Sequence, residues 1–134
     1  MSITVIDYGS GNLKSAAKAL EVAANNVNIN SSSKIVVTSD PRAIKQSDKI
    51  VLPGQGSFRE CYLSIKKIPG LNETLNEFVL ENKKPILGIC VGMQLFAKNG
   101  YESQKTQGFG WINAEVRKKN NINKQIKLPH IGLN

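Results

Sequence analysis

The sequence predicts an α/β fold, a mainly parallel sheet with helices on both faces. Short continuous apolar runs ("ITVI", "KIVV", "KIVL", "PILGI") alternate with stretches whose apolar residues recur at helical spacing. The run-bearing segments close on glycine or proline, and runs without polar alternation suit strands buried on both faces, as in parallel sheets.

Taken in order, "ITVIDYG" is a strand that stops at Gly9, and "NLKSAAKALEVAA" is a helix with Leu13, Ala16, Ala17, Leu20 and Ala24 at helical spacing. Asn12 stands where a helix wants its N-cap. "NNVNINSSS" has neither a period nor a hairpin dipeptide and reads as a loop, and "KIVVTSD" is a second strand closed by Asp40-Pro41. "RAIKQSD" is one short helix, and "KIVLPGQG" is a third strand running into a glycine-rich turn. "SFRECYLSIKKI" and "NETLNEFVLENK" are helices broken by Pro69-Gly70. "PILGIC" is the fourth strand, and "GMQLFAKNG" is a helix ended by Gly100. After Gly100, "GWINAEVRKK" and "NKQIKLPHIG" read as two strands around a basic, Asn-rich turn, an antiparallel extension. No closing helix follows, so residues 1–134 are expected to be the N-terminal portion of one domain, incomplete at the C-terminus.

A chain of 134 residues is long enough for one core. Its 40% hydrophobic content excludes a disordered tail, and no apolar run approaches a membrane span. The start lacks the features of a signal peptide, so a cytoplasmic protein with no membrane partner is expected. Two cysteines, Cys61 and Cys90, and a single histidine, His130, fall short of a disulfide framework or a four-ligand metal site, so no metal is implied. The net charge of +8 comes mostly from dispersed lysine, with only Arg42, Arg59 and Arg117 as guanidiniums. That distribution describes a solvated basic surface with no nucleic-acid partner.

The chemistry concentrates in Gly88-Ile89-Cys90-Val91-Gly92, where a strand gives way to a helix. A nucleophile on such a sharp turn is pushed out of the sheet, and flanking glycines leave room for the strained backbone. The N-terminus of a following helix favours negative charge and offers free N–H groups to an oxyanion. Cys61, inside a helical pattern, reads instead as a small buried apolar residue. "VLPGQGSF" adds Pro53, Gly54 and Gly56 at the end of another strand, where glycines around Gln55 let a peptide plane turn over and aim an N–H into the cleft. Both motifs belong to the carboxyl end of the sheet, where open α/β folds bind ligands. "DYGSGNLK" begins like a dinucleotide fingerprint, but Lys14 stands where the third glycine belongs, so a tight turn capped by Asn12 suffices.

With "DYGSGNLKS", "VTSDP", "VLPGQGSF", "PILGICVGMQLF", "GFGW" and "LPHIGLN" in this order, the sequence resembles the glutamine amidotransferase subunits of imidazole glycerol phosphate synthase, from histidine biosynthesis, over nearly its whole length. The resemblance implies a class I glutaminase in which Cys90 attacks the side-chain amide of glutamine, giving a glutamyl thioester and ammonia. It implies oxyanion donors at Val91 and, after a peptide flip, Gln55, and a substrate held by Gly54, Gly56 and Gln94. It also implies a separate cyclase subunit that receives the ammonia, with Asn12, His130 and Asn134 on the partner-facing side, and no organic cofactor for the glutaminase itself.

The chain departs from that pattern in two places. Leu133 replaces the tryptophan that precedes the final asparagine of the late motif, and the family's catalytic histidine and glutamate lie beyond that motif. His130 belongs to the late motif and reads as a structural or interface histidine, so the 134 residues are expected to be inactive as they stand. The alternatives are a non-catalytic subunit that only folds or docks to the cyclase, and another α/β protein built on a cysteine elbow.

Overall fold

The computed structural model describes residues 1–27 and 33–119. Strands β1 (Ser2–Ile6), β2 (Lys34–Thr38), β3 (Lys49–Leu52) and β4 (Ile86–Gly88) form an all-parallel sheet in the order β2-β1-β3-β4. Thr4 sits between Val36 and Ile50, and Val5 between Val37 and Val51. Ile50 and Val51 in turn face Ile86 and Leu87. Since side chains alternate along a strand, Thr4, Ile6, Ile50 and Leu52 share one face, and Val5 and Val51 the other.

The strand order decides where the helices lie. The first crossover leaves β1 on one side and the later ones return on the other, so right-handed connections put α1 (Leu13–Asn26) on one face. The same rule puts α2 (Pro41–Gln46), α3 (Phe58–Lys67) and α4 (Leu71–Asn76) on the opposite face. That second face holds the main core, where Ile6, Ile50 and Leu52 are buried in one cluster with Ile44, Ile65, Leu71, Leu75 and Phe78. On the first face α1 packs against β1 and β2 without fully burying any residue of its own.

Helix starts follow the local sequence. Asn12 Oδ1 accepts from Ser15 N–H at 3.2 Å, Asp40 Oδ1 from Arg42 N–H at 3.0 Å, and Ser57 Oγ from Glu60 N–H at 3.1 Å. Each such cap contributes about 1 kcal/mol.

Several expectations need correction. The loop expected from Asn25 begins later, because α1 runs to Asn26 and closes with Val27 N–H on Ala23 C=O. The helix expected over 72–83 is α4 followed by a π-helical stretch, Glu77–Glu81, closed by Asn82 N–H on Glu77 C=O at 2.9 Å. The helix expected up to Gly100 is only one turn, α5 (Val91–Gln94), and Ala97–Tyr101 is strand β5. This strand lies between β6 (Lys105–Gln107), antiparallel, and β7 (Ile112–Arg117), parallel. Pairing on both edges outweighs the weak helical preference of "AKNGY". Gly100 lies under the Phe58 ring, where an added Cβ would be 2.6 Å from a ring carbon.

The strand expected at "GWINAEVRKK" is present as β7, but its pairing with β5 is parallel, not antiparallel. The second strand of that expectation, 123–132, lies outside the described residues. "GFGW" ties the small sheet to the core: Phe109 stacks on Trp111 at 4.2 Å and meets the edge of Tyr62, while Trp111 Nε1–H donates to Asn76 Oδ1 at 2.8 Å.

Phe58 is 1% exposed at the junction of the two sheets, whereas Leu87 on the edge strand β4 is 54% exposed. Phe58→Ala is therefore expected to cost about 3–5 kcal/mol and Leu87→Ala less than about 1 kcal/mol. Denaturant unfolding measures both, and equal losses would refute this placement of the core.

Candidate active site

The carboxyl ends of β1, β3 and β4 open into one cleft. Its volume is about 520 Å³, and Asn12, Ser15, Gly54, Gln55, Ile89 and Cys90 are among the residues that line it. The switch in crossover direction falls between β1 and β3, so the loops leaving these strands diverge and leave a crevice.

Cys90 sits between β4 and α5 with φ 56° and ψ −124°, a left-handed conformation that a non-glycine residue adopts only under constraint. Three hydrogen bonds supply that constraint. Ile89 N–H donates to Leu52 C=O, Gly92 N–H to Ile89 C=O and Met93 N–H to Cys90 C=O, each at 3.0 Å. The turn also presses on the end of β3, since a Cβ on Gly92 would lie 2.0 Å from the Leu52 carbonyl oxygen. A Cβ on Gly54 would lie 2.5 Å from Gly92 N. The two glycine motifs singled out in the sequence thus meet backbone to backbone, and the thiol of Cys90 is left exposed.

Cys61 is the opposite case, 1% exposed inside α3. It is more than a space-filler, however. Its Sγ lies 3.4 Å from Gln55 C=O and 3.3 Å from Ser10 Oγ. Ser10 Oγ accepts from Gln55 N–H at 2.9 Å and donates to Gln55 C=O at 2.8 Å, while the buried Tyr8 hydroxyl donates to Pro53 C=O. Three side chains therefore hold the Pro53–Gly56 strap from behind. No period or motif announces this support, because Ser10 and Cys61 are 51 positions apart.

Of the residues singled out in the sequence, Asn12, Gly54, Gln55 and Cys90 share the cleft. Val91 is buried and opens α5, and its N–H has no acceptor among the described residues. Gly56 (φ 103°), on the strap, and Gln94, the last residue of α5, do not line the cleft. His130 and Asn134 lie outside the described residues. Among the described residues, no helix is long and apolar enough to cross a membrane, and no cluster of three His, Cys, Asp or Glu is placed to hold a metal.

A cysteine held on a glycine-framed turn beside a P-G-x-G strap has a counterpart among known proteins. The family model for Glutamine amidotransferase class-I matches residues 4–133. The chain belongs to this family. Among similar proteins, the imidazole glycerol phosphate synthase subunit HisH of Pelagibacter ubique is 53% identical over 135 residues, an alignment covering 100% of this chain and 62% of that protein. The proteins of the same name from Brucella suis and Bradyrhizobium diazoefficiens are 45% and 46% identical, each over 100% of this chain and 61% of theirs. The chain thus spans about three-fifths of the length of the curated relatives it matches.

In this amidotransferase chain the support behind the strap has a pH signature. Burial first, and then the neighbouring Cys61 thiol, push the Tyr8 phenol above its ordinary value of about 10. Folded Tyr8 keeps its proton where an unfolded tyrosine loses it, so above about pH 10 the unfolded chain binds fewer protons and stability falls as pH rises. The contribution is complete below pH 10 and is lost above it, by up to about 1.4 kcal/mol per pH unit. Tyr62, also raised by burial, adds a slope of the same sign. Tyr8→Phe is expected to flatten the decline between about pH 10 and 11 in denaturant titrations, and an unchanged slope would show that Tyr8 does not carry it.

Proposed function

We propose that the cleft is a glutaminase site in which Cys90 is the nucleophile. One observation carries this reading: the exposed thiol stands in a left-handed turn facing the same cleft as the Gly54–Gln55 strap. The Cys90 thiolate adds to the side-chain amide carbon of glutamine, and the resulting oxyanion collapses as the C–N bond breaks. Ammonia leaves with one added proton, and water later cleaves the glutamyl thioester to glutamate. Val91 N–H is one oxyanion donor and Gln55 N–H, once its peptide turns over, is the other. Gly54 holds the glutamine at the cleft, and by the family likeness Gly56 and Gln94, which stand beside the cleft rather than lining it, belong to the same substrate contact.

The relatives are named as subunits of imidazole glycerol phosphate synthase. By that likeness a glutaminase site of this kind serves histidine biosynthesis in the cytoplasm and delivers ammonia to a cyclase subunit, with Asn12, His130 and Asn134 on the docking side. Acid–base chemistry at sulfur needs an imidazole, and the only histidine of the sequence is His130, in a motif assigned here to docking. The 134-residue chain therefore presents the nucleophile without its base.

Two outcomes are expected. A limiting dose of a glutamine-like diazoketone should label Cys90 and spare Cys61, as peptide mapping would show. Steady-state glutamine hydrolysis should stay undetectable, since loss of a general base costs about 10²- to 10⁴-fold. Preferential labelling of Cys61 would refute the nucleophile, and turnover abolished by His130→Ala would refute the docking role of His130.

A further inference from the structure

Cleaving an amide asks two things of a site, a nucleophile for the carbonyl carbon and a proton for the departing nitrogen. The cleft supplies the first without the second. Among the described residues that line it, Cys90 alone titrates in the ordinary pH range. Asn12, Ser15 and Gln55 are its polar walls, all neutral, and Ala16, Pro53 and Ile89 are among its apolar ones.

The titratable groups on neighbouring segments are placed elsewhere. Asp7 Oδ1 accepts from Gly9 N–H at 3.3 Å, and the buried Tyr8 hydroxyl donates to Pro53 C=O. Glu60 lines a separate cavity with Arg59 and Glu102. Lys14 lines a groove on α1 together with Lys18 and Val22.

We infer that Cys90 is an acyl acceptor for activated esters and thioesters, and that the acyl group stays on its sulfur until a stronger nucleophile than water removes it. The inference rests on the proposed roles of Cys90 as nucleophile and Val91 N–H as oxyanion donor. An amide nitrogen departs only with an added proton. A phenolate or thiolate departs as the anion, taking the electron pair of the broken bond, and needs none. The Cys90 thiol first gives its proton to the buffer. Its thiolate adds to the ester carbonyl carbon, the C–O bond breaks, and the new S–C bond leaves a thioester. Val91 N–H, without an acceptor among the described residues, is free for the transient oxyanion. Hydrolysis of that thioester needs a base to take a proton from water, and no described wall residue is one. Hydroxylamine attacks the same carbon unaided, forming the hydroxamate and returning the thiol. Because no described wall residue is charged, a short neutral acyl chain suits the cleft. Butyryl is such a chain, with the carbons of a glutamine side chain as far as Cα.

The test uses the 134-residue chain and p-nitrophenyl butyrate at neutral pH. One equivalent of p-nitrophenolate per chain should appear as a burst, after which release slows by about 10²-fold or more, the scale of a missing general base. Intact mass after the burst should show one butyryl group, mapped to the exposed Cys90 and absent from the buried Cys61, and hydroxylamine should remove it. Cys90→Ala should lose the burst. Any exposed thiol reacts with such an ester, so the second readout is the acylation rate of Cys90 divided by its alkylation rate with iodoacetamide, which forms no oxyanion. This ratio should be about 10²-fold higher for the folded chain than for the same chain in urea, the scale of one oxyanion donor.

Equal ratios with and without urea, or butyryl on Cys61, would overturn the inference. Release that continues at the burst rate beyond one equivalent would also overturn it, because the acyl group would then be passing to water. A glutamine-like diazoketone separates this inference from the glutaminase reading. Acylation by the ester with an inert diazoketone would sink the glutamine substrate and leave the acyl acceptor standing, and diazoketone labelling without the burst would do the reverse.

Discussion

The contact on which the cleft depends is the one between two backbones, the turn 89–92 and the end of β3. Gly92 presses on Leu52 C=O, Gly54 presses on Gly92 N, and Ile89 N–H ties the turn to Leu52 C=O at 3.0 Å. None of these approaches tolerates a Cβ. The left-handed backbone of Cys90 costs on the order of 1–3 kcal/mol, and it persists because these contacts leave the chain no other course. Exposure of the thiol is thus a consequence of packing beneath it.

The strap reaches the cleft from the other side and is steadied by groups with little to do with its own sequence. Tyr8 holds Pro53 C=O and Ser10 holds Gln55 at both polar groups, with Cys61 beneath. A rigid elbow therefore faces a strap whose resting orientation rests on a few hydrogen bonds, each of modest net worth.

Local and periodic features were legible from residues alone. The four parallel strands, the cap at Asn12 and the break at Pro69-Gly70 have short-range causes, and the glycines around Cys90 and Gln55 marked the two loops that meet. What escaped has long-range causes. Ala97–Tyr101 becomes a strand because β6 and β7 pair with its two edges, and Glu77–Glu81 widens into a π-helical stretch that no pattern announced. Cys61 was read as packing alone, and its contact with Gln55 C=O exists only once α3 folds behind the strap.

The most direct test of Cys90 as the nucleophile of a glutamine site is competition. The rate of Cys90 alkylation by a glutamine-like diazoketone is measured in the presence of rising concentrations of glutamine, with D-glutamine as control. Saturable protection by L-glutamine, absent with the D-isomer and absent for any labelling at Cys61, is the predicted result. Alkylation of Cys90 at the same rate with and without saturating L-glutamine would contradict it.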